Sequence, residues 1–127
     1  MSAYLTVDLQ IRDEGCLVAA LEEMAYTVER HPDGAVVHGY QGDDRRGHVI
    51  VRRGTHADTK WEDMAFERQA DGTLQAHLST HMAKGRVNEI RRRYAVKQVE
   101  KTARARGYSV ASKESQGRVK LVLRRYA

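Results

Sequence analysis

The 127-residue chain contains a single cysteine, a single proline, a single tryptophan and a single phenylalanine. A lone cysteine, Cys16, excludes an intramolecular disulfide. One proline and a hydrophobic content of 41% exclude a Pro-rich disordered tail and argue for a folded globule. With aromatics at 6%, the core has to rest on Val, Leu, Ile, Met and Ala. No apolar run approaches the roughly 20 residues that span a bilayer. The opening Met1-Ser2-Ala3-Tyr4-Leu5 has neither the basic nor the apolar region of a secretory signal. A soluble, cytoplasmic protein is therefore expected. The length fits one domain, 1–127, because a split would leave pieces too small to bury much core.

Acid is scarce in the last third of the chain. From Met1 to Met82, eight Lys/Arg stand against fourteen Asp/Glu, a net of −6; from Ala83 to Ala127, fourteen stand against three, a net of +11, and together these give the overall +5. Segregation of this kind steers an acidic or polyanionic partner toward one surface.

The hydrophobic pattern locates the elements. Leu5, Val7 and Leu9 alternate with Thr6, Asp8 and Gln10, as in a half-buried strand. Asp13 is an N-cap and Glu14 a first-turn acid for a helix carrying Leu17, Ala20, Leu21 and Met24 on one face, ending near Ala25. Thr27–Arg30 and Ala35–Gly39 read as strands broken at Pro32-Asp33-Gly34; a polar loop, Gln41–Arg46, then leads to a strand at His48–Arg53. Lys60–Ser79 reads as a hairpin, Met64 and Phe66 facing Leu74, Ala76 and Leu78 across an Asp71-Gly72 turn. A long helix at Lys84–Arg106 ends on Gly107, and strands Tyr108–Ser112 and Arg118–Arg124 follow around Gln116-Gly117. Tyr26-Thr27-Val28 and Tyr108-Ser109-Val110 occupy matching places, as do Val49–Arg53 and Leu121–Arg125. The expected fold is α+β: an antiparallel sheet with two helices packed on one face, built from two approximate strand-helix-strand-strand repeats.

Leu9-Gln10-Ile11-Arg12-Asp13-Glu14 with Leu17 and Ala20–Met24, Asp63–Phe66 with Asp71-Gly72, and Arg93-Tyr94-Ala95 through Gly107-Tyr108 to Leu121–Arg124 resemble one uncharacterised family of small proteins, a domain of unknown function (DUF1257-like). Its members occur as hypothetical reading frames of plastid genomes and in cyanobacteria, other bacteria and phages. The resemblance spans nearly the whole chain and carries no catalytic motif. Its members are often found near a gene for an AAA-type ATPase, which implies an accessory role. Where relatives tend to be Trp-rich, this chain has His77-Leu78-Ser79-Thr80-His81, so roles resting on those aromatics do not carry over.

On the long helix, Ala95, Val99, Thr102 and Ala103 share an arc with Val96 at its edge. Arg86, Arg93, Lys97 and Arg104 cluster opposite, with Lys101 beside them. Together with Arg91 these form a candidate polyanion or acidic-partner site; the alternative is a helix face that docks on acidic patches of the same molecule. Arg52, Arg53, Arg124 and Arg125 end two strands and form an anion fork if they converge, or protect sheet edges if they do not. Trp61 beside Met64 is a candidate protein contact, or else a cap on the core.

His77 and His81 are spaced i, i+4 but His77 falls on a strand, and His31, His38, His48 and His56 lack ligand spacing, so no metal is expected. No Gly-rich phosphate loop appears and no cofactor is expected. Cys16 adjoins Ala20 on its helix and reads as buried. No nucleophile stands beside a base. The expectation is a non-enzymatic binding or accessory protein whose basic C-terminal helix engages an acidic partner, by family analogy an AAA-type ATPase. Sequence-independent nucleic-acid binding is the alternative, and an exposed sheet face or edge leaves room for a homo-oligomer.

Overall fold

The structure, a computed structural model, describes residues 4–39, 44–79, 82, 84–115 and 118–125, with backbone alone at 84, 112–115, 118–119 and 125. The chain order is β1 (Tyr4–Ile11), α1 (Glu14–Glu23), β2 (Glu29–His38), β3 (Asp44–Val51), a 3₁₀ turn at Ala57–Thr59, β4 (Met64–Arg68), β5 (Leu74–Ser79), α2 (Lys84–Ala105), β6 (Tyr108–Ser115) and β7 (Arg118–Arg125). The first five strands form one antiparallel sheet in the order β1-β5-β4-β3-β2. β6 and β7 form a separate antiparallel pair. Both helices cover one face of the larger sheet, so the fold is α+β. No helix among the described residues is long and apolar enough to cross a membrane.

The capping chemistry works as the sequence requires. The Asp13 carboxylate accepts the Cys16 amide at 3.0 Å, closing the start of α1. Gly107, at φ +84, ends α2 in a conformation that glycine adopts without strain. The core between sheet and helices is filled by Ile11, Leu17, Leu21, Val49, Val51, Met64, Phe66, Leu74, Leu78, Ile90 and Tyr94. Met64, a candidate protein contact in sequence, is only 2% exposed, because its side of β4 is the one the helices cover. Trp61 in the loop before it is 53% exposed, with the Lys60 ammonium 5.0 Å from its ring centroid.

Two strands depart from simple alternation. In β1 the pairing jumps from Asp8↔Gln75 to Ile11↔Leu74, and Gln10 takes φ +56 while the Asp8 carboxylate accepts its amide at 3.1 Å. The bulge adds two residues and so keeps Leu5, Val7 and Ile11 on the helix side of the sheet, where Leu9 and Ile11 are buried while Leu5, on the sheet edge, is left 51% exposed. β2 is one continuous strand rather than two. Its Pro32-Asp33-Gly34 segment is an insertion between Arg30↔Val49 and Ala35↔Gly47, held by Arg46 donating to the Gly34 carbonyl at 3.2 Å. The expected turn at Gln116-Gly117 lies outside the described residues.

A buried carboxylate ties the far end of the sheet. Asp63 accepts the Arg53 amide at 2.7 Å, the His38 amide at 2.9 Å and the Arg52 guanidinium at 3.3 Å. On the face away from the helices, His77 is buried between Thr6 Oγ1 at 3.2 Å and Glu67 Oε1 at 2.9 Å, which satisfies both ring nitrogens.

Gly47 in β3 leaves no room for a side chain: a Cβ there would stand 2.8 Å from the Cβ of Ala65 and 3.1 Å from Ile50 Cγ1. Gly47→Ala is expected to cost about 1–3 kcal/mol in urea denaturation, through overpacking between two sheet strands. Gly85, on α2 with open space around it, should respond oppositely, gaining roughly 0.5 kcal/mol as alanine.

Candidate functional site

The sequence leaves open which side of α2 meets the protein, and the structure answers it. Ile90 and Tyr94 enter the core, and the cations on the same side meet acids. Arg86 Nε lies 3.1 Å from Asp58 and its Nη1 3.0 Å from Glu89. Arg93 bonds Glu23 at 2.6 Å and Glu89 at 3.2 Å, and Lys97 also bonds Glu23. Lys101 reaches Asp13 at 2.5 Å, and Arg104 stands 3.8 Å from Glu100. Because α2 meets the end of α1 with its middle and the start of α1 with its C-terminal half, the two helices run antiparallel. The Tyr94 hydroxyl accepts the Asp13 amide at 3.1 Å, pinning the start of α1 from the same side.

Five of the six stripe cations are therefore held by intramolecular carboxylates, which is the alternative the sequence left open. Arg91 is turned elsewhere, its Nη2 3.5 Å from the Asp8 carbonyl of β1. The four strand-end arginines do not form a fork with one another. β3 lies inside the larger sheet and β7 in the smaller one. The Arg52 guanidinium is occupied by Glu29 at 3.1 Å, Asp63 at 3.3 Å and the Val36 carbonyl at 3.2 Å. Arg53 contributes its amide to Asp63, Arg124 is exposed, and the Arg125 side chain lies outside the described part.

These contacts shift ionisation. Lys101, then the Cys16 amide, hold Asp13 below the ordinary carboxylate range. Lys97 does the same for Glu23, and His31 followed by Arg52 for Glu29. Burial and the Asp58 carboxylate, 2.5 Å from its hydroxyl, push Tyr26 up. Burial also raises the Cys16 thiol, which is an inert core group and not an activated nucleophile.

With its charged side facing α1, α2 turns its apolar arc outward. Val99 is 43% exposed, and across from it Leu123 of β7 is 46% exposed. Gln98, Val99, Thr102, Ala103, Arg106, Tyr108 and Leu123 line a groove of about 480 Å³ between α2 and the β6–β7 hairpin. Arg106 lines it, and Lys120 and Arg124 are exposed on β7. The segment from Arg106 onward carries six Lys/Arg and one Glu. Sequence reasoning placed Ala95, Val99, Thr102 and Ala103 on one arc but did not identify it as the accessible one; Ala103 is buried and the other three are exposed. The visible signal was the pairing of this arc with the Leu121/Leu123 alternation of the last strand. The groove combines an apolar floor with Arg106 beside it.

The architecture is thus that of a small α+β domain presenting an apolar, basic-edged groove. Residues 20–122 match the family described as Protein of unknown function (DUF1257), and the chain belongs to that family. No curated protein and no solved structure matches it.

The helix-to-helix pairs give the fold an acid-side pH dependence. Asp13, Glu23 and Glu29 have lowered values when folded, so their ionised forms stabilise the protein above the ordinary carboxylate range of about 4. That contribution is lost as pH falls through the lowered values. Urea midpoints should stay level from about pH 5 to 8 and fall below about pH 4. Asp13→Asn combined with Glu23→Gln should flatten that fall; an unchanged acid slope would show that the pairs contribute nothing.

Proposed function

We propose that this protein is a non-enzymatic accessory module that docks an acidic, partly apolar segment of a partner protein in the groove between α2 and the β6–β7 hairpin. The observation that carries this reading is the coincidence of exposed Val99 and Leu123 with Arg106 in one groove, in the part of the chain where Lys/Arg most outnumber Asp/Glu. Most soluble proteins cover such apolar surface unless something binds there. The family's association with AAA-type ATPase genes makes such an ATPase the partner class to test first.

A phosphate backbone is the weaker fit. It would require a continuous cationic track, and Arg86, Arg93, Lys97 and Lys101 are paired with Asp58, Glu23 and Asp13. An apolar floor also contributes little to phosphate contacts.

Three variants separate the readings in fluorescence anisotropy with a labelled peptide mixing Glu with Leu and Val, and with a labelled oligonucleotide. Leu123→Asp and Arg106→Glu should each weaken the peptide at least about tenfold, or about 1.4 kcal/mol, without lowering thermal stability. Arg93→Glu should leave peptide affinity within about twofold and lower stability by roughly 1 kcal/mol, since it places a third acid beside Glu23 and Glu89. Tight oligonucleotide binding that falls steeply with salt and is lost in Arg93→Glu would refute the proposal.

A further inference from the structure

β1–α1–β2–β3 and β5–α2–β6–β7 follow one order: a strand, a helix, then an antiparallel hairpin. β1 and β5 are antiparallel neighbours and the two helices pack antiparallel, so a half-turn about a line between β1 and β5 exchanges the units in outline. In the first unit, β4 links the hairpin β2–β3 to β5. The same operation puts a counterpart of β4 between β7 and β1. Among the described residues, that position has no strand: β1 pairs with β5 alone and β7 with β6 alone.

We propose that this position is a strand-addition site, filled by an extended segment of the acidic partner lying antiparallel to β1. The inference rests on the docking reading above and names the form the partner takes there.

The surroundings of the position support it. A second groove, of about 340 Å³, opens between the edge of β1 and the first turns of α2, lined by Leu5, Val7, Leu78, Met82, Val87 and Asn88. At about 100° per residue, Asn88 lies on the same side of α2 as Val99, Thr102 and Arg106 of the first groove, while Val87 lies beside Tyr94 and packs against the core. Through Asn88 the two grooves share that side of the helix, and they span about 22 Å from Val87 to Thr102 at roughly 1.5 Å per residue. A strand of about seven residues covers that length, and β4 itself has five.

The edge of β1 is also open over Tyr4–Asp8. That stretch carries no Lys and no Pro, and the bulge of β1 lies beyond it, between Asp8 and Ile11, whereas β2 at the opposite edge carries Pro32 and a three-residue bulge in mid-strand. An edge left open in this way is a template for another strand. Its charge selects the occupant: Arg91 and Arg106 stand on the outer side of α2, Lys120 and Arg124 on β7, and none of Val87, Asn88, Ala95, Gln98, Val99 and Thr102 is acidic. The acid of the edge itself, Asp8, hydrogen-bonds Gln10 through its carboxylate and Arg91 through its carbonyl. A segment alternating apolar residues, turned under α2, with acids meets both demands.

The test uses the full chain and a fluorescent peptide of about nine residues alternating Val with Glu. A twin peptide carries N-methyl groups on alternate amides, which removes the donors needed to pair with β1 while leaving charge and side chains in place. The parent should bind, slow amide exchange along β1 and β7, and lose at least about tenfold in affinity both in the twin and against Leu5→Lys, whose exposed position spares the fold. If the twin binds as well as the parent, strand addition is wrong while docking in the groove stands. If neither peptide binds, both readings fall. A concentration-dependent dimer in analytical ultracentrifugation, dissolved by Leu5→Lys with no peptide bound, would assign the edge to a second copy and overturn the proposal.

Discussion

The contact between α1 and α2 decides how the rest of this molecule presents itself. It is built from opposite charges, Arg93 and Lys97 on Glu23 and Lys101 on the capping Asp13, with Arg86 held beside them by Asp58 of the 3₁₀ turn. Each pair, largely exposed, contributes at most about 1 kcal/mol. Their joint effect is orientational. With Ile90 and Tyr94 anchored in the core and the Tyr94 hydroxyl holding the Asp13 amide, the charges fix the rotation of α2 about its own axis. Any other rotation would leave acids of α1 facing apolar residues and break several pairs at once.

That rotation turns a charge pattern in sequence into a different pattern on the surface. Three acids of the first part of the chain, Asp13, Glu23 and Asp58, meet cations of α2, while Glu14, Glu29 and Asp63 pair with arginines of the first part itself. Positive charge that is not matched in this way remains on the outer side of α2 and along β6–β7, where Arg106 and Arg124 stand beside Val99 and Leu123. The apolar arc of α2 is exposed for the same reason the basic stripe is paired with acids, Lys101 and Arg104 staying more than half exposed as they are paired. The groove is therefore a direct consequence of the helix pairing and would disappear if α2 rolled half a turn.

Local chemistry made much of the fold legible. The Leu74/Ala76/Leu78 alternation, the Asp13 cap, Asp71-Gly72 with Gly72 at φ +87 and the helix-ending Gly107 each specify a few residues of backbone, and each is found in place. What was not legible involves contacts distant in sequence. The bulge at Gln10 inserts two residues into β1, and no alternation rule anticipates it, because the facing is the same on either side of it. The insertion at Pro32–Gly34 reads as a turn because proline and glycine usually make one, yet the pairing with β3 resumes beyond it. A helical wheel ranks positions relative to one another and is silent about which arc faces the core. On α2 that was settled by Glu23 and Asp13, some eighty residues away, so the basic stripe looked available when it is occupied. Met64 and Trp61, three residues apart, likewise part company once β4 becomes an inner strand.

The β6–β7 hairpin makes the groove more than a passive surface. An isolated two-stranded hairpin is marginally stable in water, and three strands or a packed helix are ordinarily needed to hold one. This hairpin packs against the C-terminal half of α2 through Tyr108 and Leu123 and is joined to no other strand among the described residues. Val122 and Leu123, neighbours on β7 with side chains on opposite faces, are both exposed; Leu123 faces α2, and Val122 stands between Lys120 and Arg124 on the other side. Its order and the occupancy of the groove are therefore thermodynamically linked. A segment that lies between β7 and β1 binds more tightly the better the hairpin is already formed, and it stabilises the hairpin by the same free energy. Substitutions far from the groove that loosen the α1–α2 pairing would consequently weaken binding through α2, without touching a residue that meets the partner.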